Sequence, residues 1–370
     1  MKLIHCADLH LDSKMGKYLT PEVAKARRQE LMDTFERMIT YAQENGIKVI
    51  MISGDLFDSK NITARAAVAV KNAIALHPDI TFMYLKGNHD CTSFLSRFQL
   101  IPDNLKLFSE DWKSYDFEEN VTISGIELSE KNREKMSAAL RLRPSRLNIV
   151  MLHGQIVRSS YRPPVQGSTE ENIFLNDLKG KYIDYLALGH LHSYNREALD
   201  DRGVWAYSGC LEGRGFDEIG AKGFVELETT PDGKLREKFV PFATRTLHKV
   251  DVDLTGISQT HDIEARINLM LLAKGIPSTD MVHLNLKGQV DLGLNPDADY
   301  LTHKFGDNFL FFKLDTKELR RAIHPERYAN DVSLKGEFVR TVMKMEDMDS
   351  NDREMIALYG LKALAGEELL

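Results

Sequence analysis

The sequence predicts an α/β protein: two packed mixed β-sheets flanked by helices, followed by a small α+β accessory domain and C-terminal helices. Three observations support this fold class. Apolar strand-like runs alternate with amphipathic helical runs over the first 90 residues, strand-like runs recur as far as residue 242, and the sequence pattern changes near residue 246. We therefore expect domain boundaries that divide the chain into residues 1–245, 246–317 and 318–370.

The first elements form a β-α-β-α-β series. Three apolar runs are typical of buried strands and end in polar side chains: KLIHCADLH (2–10), KVIMISGDLFD (48–58) and TFMYLKGNHD (81–90). Helical spacing of apolar residues predicts helices over 21–46 and 63–77, and an Asn-Gly pair ends the first of them. Such an alternation builds a layered α/β domain.

Further strands are expected in the same domain, at NIVMLHGQ (148–155), YIDYLALGHLH (182–192), VWAYSGCLEG (204–213), KGFVELETT (222–230) and KLREKFVPF (234–242). The accessory domain should contain strands at 249–254, 281–290 and 308–316 and a helix at 260–275. Helical spacing also predicts helices over 334–345 and 353–370. Their apolar stripe could dock on this protein itself or on a partner, and both alternatives stay open.

Composition is ordinary for a globular protein, with 43% hydrophobic and 28% charged residues among 370. No apolar run reaches the length of a membrane span and no secretory signal is evident, so we expect a cytoplasmic protein that does not bind membranes. The net charge of −7 argues against a broadly basic nucleic-acid surface, although a local cationic groove or bound metal ions could still receive phosphates.

The cysteines do not suggest a disulfide framework or a thiolate metal site. Cys6, Cys91 and Cys210 are odd in number, widely spaced and outside any C-x-x-C pattern. We expect reduced, mostly buried thiols.

Metal-ligand side chains follow the predicted strands: Asp8, His10, Asp55, Asn88, His89, His153, His190 and His192. Carboxylate, imidazole and amide ligands suit manganese, iron or zinc, and the lack of thiolate argues against a structural zinc site. Gly54, Gly87 and Gly189 precede these stretches, where a residue without Cβ permits a close approach of the backbone. If residues 185–192 are a strand, its alternation sends both histidines of GHLH to one side; two solvated histidines are the alternative.

The number of candidate ligands suggests two ions. Leaving His89 aside, seven ligands are too many for one ion and about right for two ions that share a bridge. Asp55 is the natural bridge, because a carboxylate can spread its charge over two cations. Two ions roughly 3.5–4 Å apart can activate a water and hold both sides of a phosphate during in-line displacement.

The ordered motifs DLH, GDLFD, GNHD, LHG and GHLH together resemble the calcineurin-like metallophosphoesterases. IHCADLHLDS, DYLALGHLH and SGCLEGRGFDEIGAKGF (208–224) resemble its SbcD branch, the double-strand-break repair nucleases, and most closely the YhaO-like DNA repair exonucleases. The resemblance is strong over residues 1–245. The remainder matches the family only in layout, with a small capping domain and C-terminal helices.

The resemblance implies specific site residues. One metal would be held by Asp8, His10, Asp55 and His192, and the other by Asp55, Asn88, His153 and His190. His89 would be a catalytic residue that protonates the leaving oxygen or stabilises charge beside the scissile phosphate. Asp90 could orient that imidazole and raise its pKa, or it could instead cap the loop.

The resemblance also implies an activity: a manganese-dependent DNA exonuclease for DNA repair, which hydrolyses phosphodiesters with a hydroxide activated by two metals and could also be an endonuclease. A coiled-coil ABC-type ATPase, SbcC-like, would bind the C-terminal helices at residues 333–369, and a homodimer would form through helices of the phosphoesterase domain. Two alternatives stay open: a phosphatase or small-molecule or cyclic-nucleotide phosphodiesterase of the same fold, and a non-catalytic scaffold.

One position departs from the pattern. Asp58 ends the GDLFD motif, where some family members carry histidine, and an acid there would repel phosphate unless a cation intervenes. Arg214 is expected either to support the site and face phosphate or to lie in a plain turn. The remaining arginines of interest could contact a nucleic-acid backbone or belong to solvated loops: Arg141, Arg143, Arg146, Arg158 and Arg162. His5 is expected to be a packed strand residue.

Overall fold

The computed structural model describes residues 1–15, 19–58, 62–90, 100–118, 120–158, 172–291, 294 and 296–366. The chain divides into two compact units, Met1–Thr246 and Leu247–Leu370. The expected α/β class, with two mixed sheets and flanking helices, is confirmed. Among the described residues, no helix is both long enough and apolar enough to span a membrane.

The first unit contains two six-stranded sheets and three α-helices among its described residues. Its strands are β1 (Lys2–Cys6), β2 (Val49–Ser53), β3 (Thr81–Leu85), β4 (Leu105–Leu107), β5 (Lys113–Asp116), β6 (Val121–Gly125), β7 (Leu147–His153), β8 (Gln155–Val157), β9 (Asn172–Phe174), β10 (Tyr185–Gly189), β11 (Asn195–Ala198), β12 (Val204–Tyr207), β13 (Gly223–Thr229) and β14 (Leu235–Pro241). Its helices are α1 (Pro21–Glu44), α2 (Ala64–Ala75) and the short α3 (Met136–Ala139), with a 3-10 turn at Leu175–Asp177.

Both sheets have a parallel centre; the first has one antiparallel edge, at β13 and β14, and the second has two, at β11 and β5. The first sheet has the order β14-β13-β1-β2-β3-β4, and β1 to β4 pair in parallel. The second has the order β11-β12-β10-β7-β6-β5, with β12, β10, β7 and β6 in parallel. The carboxyl ends of parallel strands in each sheet therefore lie along one edge, where sites in such folds form.

Alternating side chains on the central strands divide the core into layers. Leu3 and Met51 lie in a buried cluster with residues of the second sheet, such as Met151, so this cluster holds the two sheets together. Ile4 and Ile50 point the other way and pack in the cluster that includes residues of α1 and α2. Burying each large aliphatic side chain contributes about 1.5–3 kcal/mol.

The helices between the first strands begin and end as their sequences predict. Thr20 caps α1 by accepting a hydrogen bond from the Val23 N–H, Pro21 occupies its first turn, and Gly46 follows its end with a φ of +68°. Thr63 caps α2 through the Ala66 N–H. The sequence expectations for these two helices are confirmed to within two residues at each end.

The ligand-bearing strands are shorter than expected. The runs 2–10, 48–58, 81–90 and 182–192 leave the strand conformation at Cys6, Ser53, Leu85 and Gly189. Their polar ends are loops because several residues there have left-handed backbone conformations, which no strand contains. Strands β4, β5, β6, β8, β9 and β11 were not expected from the sequence; most are three or four residues long and partly exposed.

The second unit is built on a parallel three-stranded sheet of β15 (Leu247–Asp253), β16 (Met281–Asp291) and β17 (Phe311–Ala322). Helix α4 (Thr260–Lys274) was expected, whereas α5 (Ala298–Gly306), capped by Asp297, was not. A 3-10 turn at Pro325–Tyr328 precedes α6 (Leu334–Met343) and α7 (Ser350–Ala365), which pack on each other. A division of this unit near residue 317 stays a prediction.

Candidate metal centre

The loops at the carboxyl ends of five parallel strands bring the expected ligands together. Backbone hydrogen bonds join the first two loops: Asp8 N–H donates to the Gly54 carbonyl at 3.0 Å and His10 N–H donates to the Asp55 carbonyl at 3.0 Å. The Asp8 carboxylate also accepts from the His190 N–H at 2.9 and 3.0 Å. The two sheets therefore meet at this carboxylate.

One group of ligand atoms lies around His10. Its Nε2 is 3.1 Å from His192 Nε2 and 3.7 Å from Asp55 Oδ2. Ligand atoms of Asp8, His10 and His192 all lie within 4.8 Å of one another. These side chains could hold one cation.

A second group lies around His153. Its Nε2 is 3.0 Å from Asn88 Oδ1 and 3.5 Å from Asp55 Oδ2, and ligand atoms of Asp8, Asp55 and His153 lie within 4.8 Å of one another. The ring of His190 meets that of His153 edge to face, with centroids 5.5 Å apart. Asp55 Oδ2 therefore lies between the two groups, where a bridging carboxylate would have to be.

The backbone conformation explains how the loops aim these side chains. Asp8, His10, Asp55 and His190 have φ values of 53°, 45°, 52° and 110°, which side-chain-bearing residues seldom adopt. Each costs about 1–3 kcal/mol and persists only where the surroundings enforce it. The strand-alternation interpretation of His190 and His192 was wrong, because β10 ends at Gly189.

Two glycines permit this convergence, as the sequence indicates. A Cβ on Gly54, whose φ is +91°, would overlap the His153 imidazole. A Cβ on Gly87 would overlap both the carboxylate and the backbone nitrogen of Asp55. Any larger residue at these positions would displace a candidate ligand.

The hydrogen-bonding pattern shows that the centre fits cations. His153 Nδ1 is 2.9 Å from the Ser53 carbonyl, which can only accept, so Nδ1 carries the hydrogen and Nε2 faces Asp55 and Asn88 with a lone pair. His192 Nδ1 is 2.6 Å from a Glu218 carboxylate oxygen, so its Nε2 likewise faces His10 with a lone pair. His153 Nε2 and the Asp55 carboxylate are therefore buried acceptors that face each other, an arrangement that a cation between them would satisfy.

Burial sets the charge of the candidate ligands. Burial and then the neighbouring charge of Asp55 raise the pKa of Asp8 well above its ordinary value. Burial lowers the pKa of His153 to about 4, so this imidazole is neutral at physiological pH, the form that binds metals.

The two expected catalytic residues differ in their surroundings. His89 is exposed, its backbone N–H donates to Asp55 at 2.9 Å, and its ring lies 5.2 Å from that of His10. The buried Asp90 carboxylate accepts from the backbone N–H groups of Leu56, Phe57 and Gly87. Asp90 therefore caps and joins two loops, and that it also orients His89 stays a prediction.

The negative charge of Asp58 is paired with a cationic neighbour, Arg214. Arg214 Nη1 donates to Asp58 Oδ1 at 2.6 Å, and this pair together with hydrogen bonding lowers the pKa of Asp58 to about 2 despite burial, the largest and opposing effect. Sequence reasoning missed Glu218, which pairs with Arg214 and lies against His192. Its spacing, four residues after Arg214 in GRGFDE, was the available signal.

Other expectations concern the arginines, the cysteines and His5. Arg143 pairs with Asp116, Arg146 donates to backbone carbonyls, Arg141 donates to the Ala138 carbonyl and Arg158 pairs with Glu197. Contact of these arginines with a nucleic-acid backbone stays a prediction. Arg162 and Cys91 lie outside the described residues. Cys6 and Cys210 are buried free thiols and His5 is packed in β1, as expected.

Comparison with known proteins identifies the family of this chain. The family model described as "Calcineurin-like phosphoesterase" matches residues 1–203. The "Uncharacterized metallophosphoesterase YhaO" of Bacillus subtilis is 30% identical over 267 residues, which cover 69% of this chain and 64% of that protein.

Two proteins named "DNA double-strand break repair protein Mre11" are also similar. That of Sulfolobus acidocaldarius is 25% identical over 315 residues, covering 80% of this chain and 67% of that protein. That of Saccharolobus solfataricus is 28% identical over 228 residues, covering 59% and 56%. The match to these relatives thus spans between roughly half and two thirds of their length.

Proposed function

Since this chain belongs to the calcineurin-like phosphoesterase family and is a metal-dependent hydrolase, we propose that it is a manganese-dependent DNA nuclease. The observation that carries this proposal is the pair of ligand groups on either side of Asp55. One would comprise Asp8, His10, Asp55 and His192, and the other Asp55, Asn88, His153 and His190.

The donor set mixes carboxylate and amide oxygens with imidazole nitrogens and includes no thiolate, so it suits manganese, iron or zinc, and we propose manganese among these. When bound, two such cations supply Lewis acidity that activates water and neutralises the charge of a phosphodiester. This chain's own contribution is to bring the ligands together at the strand ends, with Asp8, His10, Asp55 and His153 buried and Asn88 exposed.

His89 is the proposed general acid. It lies at the exposed mouth of the centre, and its backbone hydrogen bond to Asp55 fixes its place in the GNHD loop. A histidine there can hold a proton at an imidazole nitrogen and deliver it to the departing sugar oxygen.

Support for a DNA substrate comes from the relatives. Two of them are named for double-strand break repair, and the match to one covers 80% of this chain, beyond the catalytic unit. We propose exonuclease action in DNA repair, which would take place in the cytoplasm. A phosphatase or cyclic-nucleotide phosphodiesterase would use the same ligands and is an outcome of the test below.

The C-terminal helices are the proposed partner surface. Met355 and Tyr359 on α7 are 51% and 47% exposed, and Ile356 lies beside them. An apolar helix face of this kind fits a hydrophobic groove or a coiled coil. We propose that a coiled-coil ABC-type ATPase binds here, and Tyr359→Glu should abolish co-purification of this chain with such an ATPase from the same organism.

A homodimer through helices of the first unit is also proposed. Helix α2 exposes Val68, and Leu76 follows its end; these residues are 50% and 75% exposed. Light scattering of the purified chain should give about twice the mass of 42.1 kDa, and Val68→Glu should return the monomer mass.

Substrate assays test the function itself. With Mn²⁺, linear DNA labelled at either end should be shortened, and Asp55→Asn should remove that activity. If DNA stays intact while phosphopeptides or cyclic nucleotides are hydrolysed, the protein is a phosphatase or a phosphodiesterase and the nuclease proposal is wrong. Activity toward none of these substrates, with metal bound, would favour a non-catalytic scaffold.

A further inference from the structure

Three charged residues lie on the Nδ1 side of His10 and His192, the two imidazoles whose Nε2 atoms face each other in the first ligand group. Asp58, Arg214 and Glu218, together called here the positioning network, connect His10 to His192 on the side away from their Nε2 atoms. Asp58 Oδ1 lies 3.1 Å from His10 Nδ1, and Glu218 Oε1 lies 2.6 Å from His192 Nδ1.

Every acceptor position of Glu218 is used. Its Oε2 accepts from the Arg214 backbone N–H at 2.7 Å, and its Oε1 accepts from the Arg214 side chain at 2.8 and 3.2 Å. Its side chain is only 7% exposed. Because a carboxylate oxygen only accepts, the contact of 2.6 Å makes His192 Nδ1 a donor to Glu218, and it is shorter than the 3.3 Å between Nδ1 and Arg214 Nη2.

Arg214 links the two carboxylates. It spans from Glu218 to Asp58, where Nη1 donates to Oδ1 at 2.6 Å, while Ser13 donates to the other Asp58 oxygen at 2.9 Å. Since guanidinium is a planar donor array with fixed geometry, this arrangement holds both carboxylates at set positions.

We propose that Glu218, held in place by Arg214, is a positioning residue that keeps the hydrogen of His192 on Nδ1 and so aims its Nε2 at one cation. Asp58 contributes by holding Arg214, because among the described residues His10 Nδ1 has no hydrogen-bond partner. The inference rests on the proposed two-metal function. It adds residues outside the ligand set and predicts that they affect the binding of only one of the two ions. The network touches only one ligand group. The other group fixes His153 through the Ser53 carbonyl instead.

Two variants distinguish an effect of hydrogen-bond geometry on metal binding from an effect of charge alone. Glu218→Gln and Asp58→Asn each remove one negative charge near the same imidazoles. An amide at 218 cannot accept at both oxygen positions, so it places an NH₂ either against His192 Nδ1 or against the Arg214 backbone N–H. An amide at 58 can keep its oxygen toward Arg214 and turn its NH₂ to the Ser13 hydroxyl, which can accept.

The loop that carries the network is anchored independently. The buried carboxylate of Glu212 accepts from Thr34 at 2.8 Å and from Arg27 at 3.3 Å, both on α1, and Arg27 also donates to the Gly213 carbonyl at 2.7 Å. Lys222 donates to the His192 carbonyl at 2.6 Å. These contacts should keep the loop folded when Glu218 is changed.

Binding of Mn²⁺ to the full chain tests the proposal without measuring activity. Calorimetric titration and electron paramagnetic resonance count the ions, and circular dichroism verifies folding. In Glu218→Gln one ion should bind with unchanged affinity and the other about 10–100-fold more weakly, the usual effect of losing a partner of a metal-bound histidine. Asp58→Asn should bind both ions with nearly unchanged affinity.

Asp184→Asn is the matched control. Asp184 also accepts from an arginine side chain, Arg202, and from a backbone N–H, that of Asn148, but none of its contacts involves the candidate ligands. This variant should bind two ions as the unchanged protein does. In addition, nitrogen-15 spectra of the metal-free protein should place the His192 hydrogen on Nδ1 and show that placement disturbed in Glu218→Gln.

The outcomes are distinguishable. If the unchanged chain binds two ions and Glu218→Gln binds both with undiminished affinity, the positioning role is overturned while the proposed function stands. Equal weakening in Glu218→Gln and Asp58→Asn would overturn it in favour of charge alone. An unchanged chain that binds fewer than two ions would overturn the proposed function and this inference together.

Discussion

Replacing His5 by asparagine should make the free energy of unfolding depend less on pH in the acid range. His5 lies on β1 with 0% of its surface exposed, and its Nδ1 is 2.9 Å from the hydroxyl of Tyr185 on β10, so it joins the two sheets. Burial lowers its pKa from 6.5 to about 3, although a backbone hydrogen bond at Leu188 opposes this effect.

The sign and size follow from linkage. Below pH 6.5 His5 binds a proton in the unfolded chain, whereas in the folded chain it stays neutral down to about pH 3. Acid therefore favours unfolding between these two pH values. Each pH unit is worth about 1.4 kcal/mol, so this histidine should remove about 2 kcal/mol from the free energy of unfolding between neutral pH and pH 5.

Urea unfolding at pH 7.5 and pH 5, followed by circular dichroism with EDTA present, measures this effect. His5→Asn removes the titrating ring and leaves a polar group near the Tyr185 hydroxyl. The unchanged protein should lose about 2 kcal/mol more than the variant, because all other titrating groups are common to both. Equal losses in the two proteins would refute the reasoning.

Other expected outcomes concern the centre. His89→Ala should lower turnover about 10²–10⁴-fold with Mn²⁺ binding unchanged, and loss of the metal would contradict its assignment as an acid. Gly54→Ala should lower the free energy of unfolding by about 2–5 kcal/mol, from its φ of +91° and the overlap with His153. Gly233→Ala, with φ +75° and open space, should cost only about 1–2 kcal/mol, and equal costs would refute the overlap. Mn²⁺ at about 100 times its Kd should add about 2.7 kcal/mol of stability for each bound ion, which EDTA should reverse; no change would contradict a folded-state metal site.

Helices and central strands were predictable because their signals are local. Thr20, Pro21 and the Asn-Gly pair mark α1 without tertiary information, and the apolar runs mark β1, β2 and β3. The short edge strand β5 (KSYD) was not predictable, because its four residues are mostly polar and exposed and carry no apolar strand pattern.

The ligand list was accessible from sequence, but its geometry was not. The pattern GHLH suggested two histidines on one strand face, whereas the strand ends at Gly189 and His190 follows with a left-handed φ. Glu218 escaped notice because its role depends on Arg214 and His192 meeting it in space. Sequence motifs identify the ligand side chains, but the conformations of the loops determine where those side chains point.

Crystals of the full chain soaked in Mn²⁺ and measured at the manganese absorption edge test the central claim most directly. The account predicts two anomalous peaks roughly 3.5–4 Å apart, one on each side of the Asp55 carboxylate, and loss of the pair in Asp55→Asn. A single peak, or two peaks that share no ligand at Asp55, would contradict it.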